Sequence, residues 1–131
     1  YFTLYYLDKT IFLKTKGENM KDKNNMDIMK NLRTIEWLKS EILMDIAKLY
    51  EMLSTREEDL KDETEDLISN IILLSYILGR RLGLSYEGIN SNLEDKIKLN
   101  LIEDHKIEQW YGDLSLLLGF IAVTRKRKII K

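Results

Sequence analysis

The chain has 131 residues, enough for one domain with a core of its own. It contains no Cys and a single His, which excludes disulfides, thiolate metal sites and a histidine-rich zinc centre. With no Pro, 33% charged residues, 44% hydrophobic residues and a net charge of −1, it reads as a helical protein and not as a general nucleic-acid binder.

The first segment, Tyr1-Phe2-Thr3-Leu4-Tyr5-Tyr6-Leu7 continuing to Ile11-Phe12-Leu13, has strand-like composition and gives way to a polar stretch from Lys14 to Asn25. It lacks the basic start, longer apolar core and small-residue cleavage site of a signal peptide. Two readings stand. Lys16-Gly17-Glu18-Asn19-Met20 is encodable as a purine-rich ribosome-binding site ahead of a start codon, which makes residues 1–19 translated leader and Met20 the true start. Alternatively the segment is a short hairpin or a disordered arm. In either case residues 1–28 are expected to be an N-terminal extension to a helical domain over residues 29–131.

Beyond Asn31 the periodicity is helical. Leu32, Ile35, Leu38, Ile42, Ile46, Leu49 and Leu53 step by three or four residues, which predicts an amphipathic helix from Leu32 to Leu53. Ser54 and Thr55 offer N-caps for a second helix, whose start is favoured by Glu57, Glu58 and Asp59. That helix carries Leu60, Leu67, Ile71, Leu74 and Leu78 on one stripe and is predicted to end near Gly83. Ser85 is the expected cap of a third helix running through Ile89, Leu93, Ile97 and Asn100. A fourth is predicted with Ile107, Trp110, Tyr111, Leu114, Leu118 and Ile121 on its inner face. Four helices with short connections predict an all-α four-helix bundle. The longest apolar runs, Ile71 to Leu78 and Leu114 to Val123, are well short of the roughly 18 residues of a membrane span. The expected location is therefore the cytoplasm, which also suits a chain without Cys.

The most informative stretch is Asp62-Glu63-Thr64-Glu65-Asp66 leading into the apolar turns of the second helix. Glu63 and Asp66 are three residues apart and share a face. Carboxylates at the edge of a buried helix must be solvated, paired or bound to a cation. The pattern therefore invites a magnesium site, set against the plainer reading of a solvated, dipole-favoured helix start.

The chain resembles the MazG-like branch of the all-alpha nucleoside triphosphate pyrophosphohydrolases, in particular its short single-domain bacterial members. The resemblance is carried by Ile35-Glu36-Trp37-Leu38-Lys39-Ser40-Glu41, Tyr76-Ile77-Leu78-Gly79-Arg80-Arg81-Leu82-Gly83, Glu94-Asp95-Lys96-Ile97-Lys98-Leu99-Asn100 and Glu108-Gln109-Trp110-Tyr111-Gly112-Asp113-Leu114. It implies a helical bundle that forms a homodimer or a higher homo-oligomer. It also implies magnesium-dependent cleavage of an NTP, or of a modified nucleotide, to NMP and pyrophosphate, with manganese as a substitute ion. Two acidic pairs would hold the metal. Glu63 and Asp66 match the second pair; in the first, Glu41 matches but the position three residues on is Met44, and Asp45, one residue further, is the available substitute. Lys96 would contact phosphate, with Asn92 one turn before it assisting.

Each residue has a plainer role as well. Glu41 and Asp45 are expected to pair with Lys39 or Lys48, Lys96 to be solvated, and Trp37, Trp110 and Tyr111 to cover a core or a dimer interface. His105 is expected in the first turn of the last helix, and Arg125-Lys126-Arg127-Lys128 suits a helix C-terminus. Because of Met44, two function classes are carried forward: a nucleotide pyrophosphohydrolase, and a catalytically degenerate relative serving as a dimeric interaction or nucleotide-sensing module.

Overall fold

The computed structural model of the protein describes residues 20–55 and 60–129, which form five α-helices with no strand among them. They are α1 (Met20–Ser54), α2 (Lys61–Arg81), α3 (Tyr86–Ile102), α4 (Lys106–Tyr111) and α5 (Asp113–Ile129). The all-α expectation holds. The leader or arm expected over residues 1–19 lies outside the described residues, as do Glu57, Glu58 and Asp59. The helices divide into two compact units, the first ending at Arg81 and the second starting at Leu82.

The first unit is a helical hairpin. Helix α1 starts well before the predicted Leu32 and reaches into the stretch expected to be extension. Its opening turns lack apolar periodicity, but no Gly or Pro occurs between Gly17 and Gly79 to stop a helix. Helix α2 has Asp62 and Glu63 in its first turn and Arg80 and Arg81 in its last, matching the sign of the helix dipole at both ends. The two helices run antiparallel. Asn31, early in α1, donates its amide to the carbonyl of Arg81 at the end of α2, at 3.2 Å. Midway along the hairpin, Asn70 meets Asp45. Leu38 and Leu74 are buried in this unit, together with Gly79. Each buried Leu is worth about 1.5–3 kcal/mol of transfer free energy.

The second unit is built from shorter pieces. Gly83 takes a φ of +91°, the left-handed conformation that Gly adopts without strain, and turns the chain after α2. Ser85 caps α3 as predicted, its hydroxyl accepting from the N–H of Gly88 at 3.0 Å. Ile97 is the buried residue of α3.

The predicted fourth helix is two helices. Gly112 adopts φ +70°, and its N–H closes α4 on the carbonyl of Glu108 at 2.9 Å. The left-handed residue ends one helix, and Asp113 opens the next. The side chain of Glu108 bridges the break, accepting from the N–H of Ser115 at 3.0 Å and from the Ser115 hydroxyl. His105 is not in the first turn of α4 but is its N-cap, with Nδ1 accepting from the N–H of Ile107.

Candidate functional site

Helices α1 and α2 line a cavity of about 210 Å³. Thr34, Trp37, Leu38 and Glu41 come from α1, and Asn70, Leu73, Leu74 and Ile77 come from α2. Both sets recur at three or four residues, so each is one face of its helix. Leucine and isoleucine supply half of the lining residues, and Thr34, Trp37, Glu41 and Asn70 bring the polar groups. The Thr34 hydroxyl donates to the carbonyl of Lys30 at 2.8 Å. The indole Nε1 of Trp37 is buried and has no hydrogen-bond partner. A buried indole N–H normally finds an acceptor, so this one stands out.

One turn beyond Glu41, on the same face of α1, lies Asp45, only 4% exposed. A buried carboxylate is tolerable only when it is paired or hydrogen-bonded. Both conditions are met. Asn70 Nδ2 donates to Asp45 Oδ2 at 2.5 Å, and Lys48 Nζ lies 3.9 Å from Oδ1. Of the ion pairs expected for Asp45, the one with Lys48 is present. Lys39 pairs with Glu36 instead, at 2.9 Å.

The four carboxylates expected to hold a metal are therefore in different surroundings. Glu41 is half-buried at the cavity and Asp45 is buried beside it, while Glu63 and Asp66 are exposed on α2. Among the described residues no three His, Asp or Glu side chains come together so as to hold a metal ion. The α2 side chain that meets Asp45 is Asn70, one helical turn after Asp66 and on the same face. Sequence reasoning did not single out Asn70 or the unpartnered Trp37 N–H. The signal for the first was present, since Asn70, with Ser69 before it, is a polar interruption of the apolar run from Leu67 to Leu74.

The MazG-like family model matches residues 28–114, well over half of the chain. The chain belongs to the MazG-like family. The matched span of this MazG-like protein includes every residue of the cavity and also Asn92 and Lys96. No curated protein and no solved structure matches the chain.

In the second unit of the MazG-like protein, Asn92 and Lys96 are exposed and one turn apart on α3. Between them, Glu94 binds Lys98 at 2.8 Å and Arg125 of α5 at 3.4 Å. The hydrogen bond and charge of Lys98, with Arg125 adding to them, hold the Glu94 carboxyl below its usual range. Glu108 is lowered as well, chiefly by the Ser115 hydroxyl and backbone N–H that it accepts from. Trp110 and Tyr111 are exposed, their rings edge to face at 6.3 Å. Among the described residues no helix is long and apolar enough to cross a membrane.

Proposed function

We propose that this MazG-like protein is a cytoplasmic nucleotide pyrophosphohydrolase, which cleaves a nucleoside triphosphate or a modified nucleotide to NMP and pyrophosphate with magnesium. Family membership supports this reaction class. The observation that carries the site is the α1–α2 cavity continued by a buried carboxylate: Thr34, Trp37, Glu41, Asp45 and Lys48 follow one face of α1. Asn70, Asp66 and Glu63 follow one face of α2 in the opposite direction.

The donor chemistry fits magnesium. The ion takes oxygen ligands, keeps several waters and needs only one or two carboxylates beside substrate phosphates. Asp45 and Glu41 are the α1 candidates, with Asp66 and Glu63 on α2. When bound, magnesium supplies charge neutralisation on the triphosphate. The chain's own part is to orient Asp45 through the amide of Asn70, to offer the Lys48 ammonium to anionic oxygens, and to seat the rest of the nucleotide in the cavity. Lys96 and Asn92 are the proposed phosphate contacts on α3. A homodimer accounts for the many large apolar side chains left exposed, among them Leu43, Tyr50, Leu53, Ile72 and Phe120. Light scattering at micromolar concentration should therefore give twice the chain mass; a monomer contradicts it.

A second reading, nucleotide binding without turnover, draws on two observations. Met44 stands where the resemblance expects an acid, and both oxygens of Asp45 already have protein partners. Incubation of the purified protein with a panel of NTPs and magnesium decides between them. Release of NMP and pyrophosphate is the expected result, whereas saturable binding with no pyrophosphate supports the second reading.

A further inference from the structure

We infer that α5 is the seam of the homodimer: its outer face pairs antiparallel with the same face of a second copy of this chain. This rests on the homodimer of the proposed function and names the surface that forms it.

Spacing defines the face. Asp113, Leu116, Phe120, Val123 and Arg127 follow one another at intervals of three, four, three and four residues, so they form one line along α5. The inner face of the same helix is already occupied. It packs on α3 and α4, with Leu114, Leu118 and Ile121 half-buried and Arg125 reaching Glu94 of α3 at 3.4 Å. Every residue of the outer line is exposed, Leu116 at 71%, Phe120 at 69% and Val123 at 54%. Leu117 widens the apolar strip on one side. On the other side is Gly119, where an added β-carbon would meet nothing within 4 Å. Single exposed apolar residues need no explanation, but a continuous strip marks a surface that something covers.

Charge then chooses the occupant and its direction. The line is acidic at its N-terminal end and basic at its C-terminal end, with apolar side chains between. Asp113 and Arg127 are about 21 Å apart along the axis, so they do not meet within one helix. Among the described residues neither has an ion-pair partner. A surface of uniform negative charge, such as anionic lipid or nucleic acid, would attract Arg127 and repel Asp113. An antiparallel second copy satisfies both. Phe120 lies midway between the two charges. A two-fold axis near it sets Asp113 of each copy beside Arg127 of the other, and Leu116 beside Val123. A parallel pairing would oppose like charges at both ends. Apolar contact at the centre supplies the affinity, while the exposed end pairs fix direction and register.

Light scattering of the full chain over a dilution series tests the seam. Phe120→Glu puts two like charges near the axis and should weaken dimerisation roughly tenfold or more, with the helical circular dichroism unchanged. Asp113→Lys and Arg127→Glu, each alone, oppose like charges at both ends and should each weaken the dimer roughly tenfold at low salt. Mixed in equal amounts, the two variants should regain wild-type association, because each end pair of the mixed dimer is again of opposite sign. Mixing would not repair a folding defect, such as the loss of a favourable acid from the first turn of α5 in Asp113→Lys. A wild-type dimer that Phe120→Glu leaves intact, or charge variants that associate no better mixed than alone, overturns the seam and assigns the homodimer to another face. A monomeric wild type overturns the seam and the homodimer together. None of these results bears on release of NMP and pyrophosphate, which the NTP panel reads separately.

Discussion

The two units of this MazG-like protein are held by different forces. In the first, two long helices bury Leu38 and Leu74, and the one buried charge among the described residues, Asp45, is matched across the hairpin by Asn70. In the second, three shorter helices bury Ile97, and the contacts that join them are exposed: Glu94 to Arg125, and Glu108 to Ser115. Exposed ion pairs contribute little and are screened by salt, whereas a buried polar pair is costly to break. Caps and surface pairs mainly fix where helices start and stop. The proposed acidic site draws on the first kind of packing.

The comparison can be broken most sharply in the hairpin. Leu38→Ala removes a side chain that is 1% exposed. It should destabilise the protein by about 2–5 kcal/mol, read by urea denaturation. Because Leu38 also lines the cavity, the change should enlarge the site as well. A cost below about 1 kcal/mol would mean that the hairpin core is not what holds this unit.

Asn70→Leu comes next. It leaves Asp45 buried with only the distant Lys48, and the loss of one partner from a buried pair costs about 1–3 kcal/mol. Asn70→Asp should also destabilise at neutral pH, since it sets two carboxylates against each other. Millimolar magnesium should restore part of that loss if Asp45 faces the metal. Equal melting temperatures for wild type and Asn70→Leu would show that the pair is incidental.

In the second unit the sensitive point is the backbone. Gly112→Ala puts a β-carbon on a residue with φ +70°, where it meets nothing within 4 Å. The cost is therefore conformational alone, about 1 kcal/mol. A neutral result would mean that α4 and α5 can join into the single helix predicted from the sequence.

The smallest effect is that of pH. Glu94 and Glu108 are held below the usual carboxylate range by Lys98 and Ser115 respectively, so their ionised forms stabilise the fold above that range. The contribution is lost as pH falls through the lowered folded values. Melting temperature should drop across that acid range, and Glu108→Gln should flatten part of the drop. An unchanged acid profile in Glu108→Gln would show that the Ser115 contacts do not outlast the loss of surface pairs in solution.

Much of the fold was legible in the sequence because apolar spacing, Ser85 and the absence of Pro act locally. The helix break was not. The apolar stripe runs in phase from Ile107 to Ile121 straight across Gly112, and periodicity cannot register one left-handed residue. The opening of α1 was missed for the converse reason, since a helix carried on by its neighbours needs no apolar stripe. At the candidate site, the four-residue spacing of Glu41 and Asp45 is legible in the sequence, but their surroundings are not. The offset between two antiparallel helices is a tertiary property, and it is this offset that sets Asn70, and not Asp66, against Asp45. An acidic helix start reads the same in sequence whether it faces water or an ion. The unmatched Trp37 N–H is a fact of burial, which no local pattern carries.

Under the proposed function, the hairpin binds the nucleotide. The most direct measurement is a ¹H–¹⁵N titration of the full chain with a nucleoside triphosphate and magnesium. The largest shifts are expected at the Trp37 indole, the Asn70 side-chain amide and the backbone around Glu41 and Asp45, all saturating at one concentration. Saturating nucleotide that leaves these four positions unmoved, while the protein otherwise stays folded, would contradict it.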